Sequence, residues 1–190
     1  MNRTFNAAKW GLRIEVRAPT LEELTALRRA GGSPDAARKL VRACLVSPSL
    51  TEVLAKAPGA VLVLLGHILS VYGLTAELSL LDEEDYDEET AKAVVEAERK
   101  GFSGLFVVAF APETEPATLS FVLRVPRDQE LAEVMRDSKS VGAARVLVSK
   151  CCVSGPLARV DEAYPGLWIP LSVIASERAG MQDELTLEKP

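Results

Sequence analysis

Reactive chemistry is scarce in this chain of 190 residues, which has one histidine, His67, and three cysteines. A Cys/His zinc site needs four ligands at paired spacings, and the sequence offers no such set. A Ser-His-Asp arrangement would have to draw on His67. The glycines never fall as GxSxG, GxxxxGK[ST] or GxGxxG, so the nucleophile-elbow, P-loop and dinucleotide patterns are missing. Only 5% of residues are aromatic and the formal net charge is −5. Phosphate neutralisation needs a basic surplus and base stacking needs aromatic faces, so no nucleic-acid partner is expected. The opening residues, MNRTFNAAKWGLRIEV, carry no apolar run of signal-peptide type. That points to a cytoplasmic chain with reduced thiols. What remains by elimination is a binding or assembly protein, with no cofactor and no metal, rather than an enzyme.

What is present is a folded core and a repeat. Hydrophobic residues make up 48% of the chain, enough for one domain or two small ones. Residues 12–83 align with residues 119–190 at a constant shift of 107, without a gap. Arg17/Arg124, Pro19/Pro126, Glu23/Glu130, the Ala-Ala-Arg runs at 36–38 and 143–145, Cys44/Cys151 and Pro58-Gly59/Pro165-Gly166 all coincide. More than twenty identities fall in this register, where a composition this rich in Leu, Ala, Val and Glu gives roughly 6 by chance. The reading is a duplication, with a first unit at 1–82, an acidic linker and helix at 83–103, and a second unit at 104–190. Residues 82–89 hold seven acids in eight positions, a run that repels itself and stays solvated. Residues 88–100 read as one amphipathic helix ending at Gly101.

Each unit has the same expected anatomy. LRIEVRA alternates as a strand and stops at Pro19, which cannot donate a ladder hydrogen bond. GLFVVAF and TLSFVLRV form a hairpin, and TFNAAKW offers a weaker partner in the first copy. Thr20 with Glu23 and Ser49 with Glu52 have the spacing of capping boxes. Gly31-Gly32 closes the first helix, and Ser33-Pro34 opens the second. Ala37, Leu40, Val41, Cys44 and Leu45 form its buried stripe. Residues 60–72 read as an apolar fourth helix, too short to span a bilayer and therefore part of the core. The final ELSL and ELTL segments, at 77–80 and 184–187, alternate and could return to a sheet. The expected class is α+β, mainly helical. Two tandem units, each a short strand or hairpin followed by about four helices, pack as a pseudo-twofold pair.

Candidate sites compete with packing roles. Ile174 stands where the first copy has His67, which favours a core histidine over a catalytic one. Cys44 and Cys151 lie on an apolar stripe and read as small buried hydrophobes. Arg38 and Arg145 are matched and are expected to pair with Glu23 and Glu130 across two helices; a single arginine per unit is weak evidence for phosphate. Tyr164 replaces Ala57 and Trp168 replaces Val61. Aromatics concentrate at binding hot spots, so Tyr164 and Trp168 are the candidate partner-binding residues, with gap filling in the core as the other reading.

The stretch VRAPTLEELTALRRAGG, followed by AARKLVRACLVSPSLTEVLAKAPGAVLVLLGHILSVYG, resembles the tail assembly chaperones of long-tailed bacteriophages and prophage tails. The likeness lies in a strand ending in Arg-Ala-Pro-Thr, a helix closing in LVRACLVSPSL, a short helix, Pro-Gly, and an apolar helix to Tyr-Gly. The resemblance implies a non-catalytic protein of the host cytoplasm. Its expected partners are the long helical tape-measure protein and tail tube components, with no membrane and with homo-oligomer formation left open. Alternatives are a structural connector or tail-completion protein, a small cytoplasmic enzyme using His67 or Cys44, and a regulatory adaptor.

Overall fold

Local sequence signals set most element ends in the computed structural model, which describes residues 2–112 and 116–180. The first half runs β1 (Asn2–Ala7), β2 (Leu12–Arg17), α1 (Leu21–Arg29), α2 (Pro34–Cys44), β3 (Leu45–Ser47), α3 (Leu50–Lys56) and α4 (Ala60–Val71). β4 (Ser79–Leu81) and α5 (Glu88–Arg99) follow. The second half runs β5 (Leu105–Phe110), β6 (Leu119–Arg124), α6 (Asp128–Arg136), α7 (Val141–Cys151), β7 (Cys152–Ser154), α8 (Leu157–Ala163) and α9 (Trp168–Arg178). Thr20 and Ser49 make the capping boxes of α1 and α3. Ser33 and Ser140 accept from Ala36 and Ala143 at the starts of α2 and α7. Gly11, in the left-handed region at φ 61, closes the turn between β1 and β2.

The fold is α+β with two antiparallel sheets. One has strand order β1-β2-β3 and the other β4-β5-β6-β7. The starts of β2, α1, α2, β3 and α3 each have a counterpart 107 residues later, at β6, α6, α7, β7 and α8. Even the register break recurs, between Glu15 and Val16 in one sheet and between Val122 and Leu123 in the other. A single large hydrophobic cluster draws on both halves, from Ile14, Val41 and Ile68 to Phe121, Val148 and Leu171.

Several expectations need correction. Residues 45–47 and 152–154 leave their helices and pair with β2 and β6 as strands of three residues, too short to show alternation in sequence. The segment 77–80 does return to a sheet, but to that of the other half, where β4 pairs with β5. Its twin at 184–187 lies outside the described residues. The acidic run at 82–89 is exposed apart from a half-buried Tyr86, and the helix expected after it forms as α5, which lies against β6 and β7 with Thr90 and Ala97 buried. α4 is not buried all round, since Leu62 is 67% exposed and Val63 49%.

Among the described residues, the contacts between halves are not those of a pseudo-twofold pair. Gly166 lies buried against Tyr72 and Leu74, whereas a Cβ on Gly59, its equivalent in the first half, would meet none of the described residues within 4 Å. An isologous interface would repeat each contact with the halves exchanged. Among the described residues each half contributes a different surface.

Candidate functional site

The joint between halves is built from the end of α4 and the turn before α9. Gly166 N–H donates to the Tyr72 carbonyl at 2.9 Å. A Cβ on Gly166 would stand 2.5 Å from the Leu74 nitrogen, so only glycine permits this approach. Gly73, at φ 83, lets the chain leave α4 beneath Leu167. Farther along, Val141 N–H donates to Thr25 Oγ1 at 3.0 Å, and Arg29 pairs with Asp137. These contacts join α1 to the start of α7.

Tyr164 and Trp168, the expected partner-binding residues, sit inside this construction at 1% exposure each. The Tyr164 ring meets Phe110 edge-on, with centroids 5.2 Å apart, and its hydroxyl accepts from Arg3 at 3.4 Å. Trp168 Nε1 donates to Asp161 at 3.2 Å, and Asp161 also accepts from Arg145 at 2.6 Å. A partner could reach either ring only by opening the fold.

An apolar groove lies elsewhere. Phe5, Trp10, Ile14, Val63, Leu64 and His67 line a groove of about 360 Å³ between the first hairpin and α4. His67 is exposed and rests on Phe5, ring centroids 5.4 Å apart. It is therefore a wall of the groove rather than a core histidine. The sequence signal was the apolar run 60–72, but composition does not show which side of such a helix faces water.

The chain matches no protein-family model, no curated protein and no solved structure.

The titratable groups read as structural. Glu23 does not pair with Arg38, nor Glu130 with Arg145. Glu23 takes a bidentate contact from Arg17, at 2.6 and 3.0 Å, and Glu130 takes the same from Arg124, at 2.6 and 2.9 Å. Each glutamate sits in the first turn of its helix and reaches back to the strand that enters it. The Arg124 hydrogen bonds are the main cause that holds the Glu130 carboxyl down at about 2. Glu23 is lowered for the same reason. Burial pushes the Cys44 thiol up to about 12 and those of Cys151 and Cys152 to about 11. Such thiols are not nucleophilic thiolates at neutral pH. Among the described residues, no three of His, Cys, Asp and Glu gather where a metal ion would bind. No helix among them is long and apolar enough to cross a membrane.

Proposed function

We propose that this chain is a non-catalytic tail assembly chaperone of a long-tailed bacteriophage or prophage, made of two copies of one hairpin-and-four-helix unit. It works in the host cytoplasm. There it holds the apolar helices of a tape-measure protein in solution until tail tube components close around them. The sequence resemblance suggests the partner. The observation that carries the mechanism is the groove between the first hairpin and α4, with Val63 exposed in its wall. An amphipathic helix laid in such a groove buries its apolar face against these side chains. Fully covering a Leu or Val contributes about 1.5–3 kcal/mol, so a few such contacts suffice for reversible binding. Reversibility suits a chaperone that must later give way to tube protein.

The test is affinity capture from the native host, followed by co-expression with what is captured. The expected catch is one very long, helix-rich protein that stays soluble only with this chain present. Val63→Asp, which places a charge on the groove wall, should return that protein to the pellet while leaving the chain folded. Recovery of finished-particle components instead would replace the chaperone by a structural connector. Unchanged binding by Val63→Asp would exclude the groove.

A further inference from the structure

We infer that the first half carries a second docking groove, between α1 and α2, whose occupant is an acidic amphipathic helix of a protein partner. It is separate from the groove of the first hairpin and α4, and it does not depend on the chaperone reading. The groove holds about 360 Å³. Leu27 and Leu40 form its floor, 6% and 3% exposed, and Ala26 and Ala43 stand on its two walls. Both alanines are exposed. Walls this short let the side chains of a third helix settle between the two.

The same place in the second half is closed. Glu133 stands where α1 has Ala26, and Lys150 where α2 has Ala43. Their side chains meet at 2.6 Å and tie α6 to α7. The first half has neither member of that pair, so its groove stays open.

The charges beside the groove identify the occupant. Arg38, Lys39 and Arg42 are exposed on α2, and Lys39 lines the groove itself. Among the described residues, none of the three takes part in an ion pair. The second half neutralises this face. Arg145, the equivalent of Arg38, pairs with Asp161 at 2.6 Å, where the first half has Leu54. Lys39 and Arg42 are replaced there by Val146 and Ser149. Against the three cations stands one exposed acid of α2, Asp35, while Glu23 at the groove is taken by Arg17. A local surplus of positive charge, in a chain of net charge −5, selects carboxylates. Lys39 and Arg42 lie one turn apart, so they match carboxylates one turn apart on a partner helix. Phosphates would meet the same cations but gain nothing from the apolar floor. Among the described residues no aromatic ring lines the groove for a base to stack on. Both points favour a protein helix over a nucleic acid.

Fluorescence anisotropy with the full chain and a labelled peptide tests this. The probe is a helical peptide of about 20 residues, with leucine and alanine on one face and glutamates one turn apart beside it. It should bind, and added salt should weaken the binding by screening exposed charges. The same peptide with lysine for every glutamate should bind about tenfold more weakly or worse. Ala26→Glu with Ala43→Lys installs the ion pair of the second half and leaves the net charge at −5. It should lower affinity for the glutamate peptide about tenfold by closing the groove. Lys39→Glu with Arg42→Glu, both at exposed positions, should lower it about as much through charge, and decides the matter should the first variant fail to fold. Val63→Asp, in the other groove, should bind the peptide as wild type does. The inference is overturned by a glutamate peptide that does not bind, a lysine peptide that binds equally, or a folded double variant with unchanged affinity. Loss of binding in Val63→Asp, or a single-stranded oligonucleotide bound more tightly than the peptide, would overturn it as well.

Discussion

Glu130→Gln tests how the two halves use the same ion pair at different depths. In the second half the Arg124 and Glu130 side chains are 12% and 14% exposed; in the first, Arg17 and Glu23 are 36% and 25% exposed. The fall of the Glu130 carboxyl from 4.5 to about 2 corresponds to at most about 3 kcal/mol of stability at neutral pH, since tenfold in proton affinity is worth about 1.4 kcal/mol. Residual solvent access makes about 2 kcal/mol the working figure. The sign follows from linkage. A carboxyl lowered by folding stabilises the protein above its unfolded value of 4.5. That contribution is lost as pH falls from there through about 2. Urea denaturation at neutral pH should therefore show Glu130→Gln less stable than wild type by about 2 kcal/mol. The two should converge as the pH falls below about 2, where the wild-type carboxyl becomes neutral and nearly isosteric with the amide. Glu23→Gln, at the more exposed pair, should cost clearly less. A difference between wild type and Glu130→Gln that persisted at low pH would refute the electrostatic account. So would equal losses at Glu23 and Glu130.

Two further outcomes follow from the joint and the core. Gly166→Ala should destabilise by about 2–4 kcal/mol, through a collision with the Leu74 backbone and loss of the hydrogen bond to Tyr72. Gly59→Ala, with open space around it, should change thermal midpoint little; equal shifts would undo the asymmetry of the joint. Cys44, fully buried and with its thiol pushed up to about 12, should resist a maleimide probe at neutral pH until denaturant is added. Rapid labelling of the native chain at Cys44, read by peptide mapping, would contradict its placement in the core.

How far the sequence could be read depended on whether a signal was local. Thr20 with Glu23, Ser49 with Glu52, and Ser33 before Pro34 fixed helix starts because a cap is settled within four residues. The hairpin of β5 and β6 was legible from its β-rich runs. The match of Arg38 with Arg145 suggests a helix-to-helix pair for Glu23, but its partner is Arg17 of the entering strand. A glutamate in the first turn faces back along the helix, where Arg17 of the entering strand lies six residues away. α4 shows the opposite limit: an apolar run reads as core whether its outer face meets protein or water. The asymmetry of the joint was invisible in the repeat, since aligned copies look equivalent by construction. Tyr164 and Trp168 were rightly singled out as departures between copies, but only the fold shows that they point inward.

β4 gives the chain a stitched character. In sequence it closes the first half, yet its hydrogen bonds go to β5 in the sheet of the second. A cut in the acidic run at 82–87 would sever the covalent link but leave that strand laced into the neighbouring sheet. The two pieces would be expected to remain together and, if separated, to find each other again. Conversely, a fragment ending at residue 82 would carry away an edge strand its neighbour needs, leaving the Val107 and Val108 backbone without its β4 partner. Trimmed at the sequence boundary, each half lacks something the other holds.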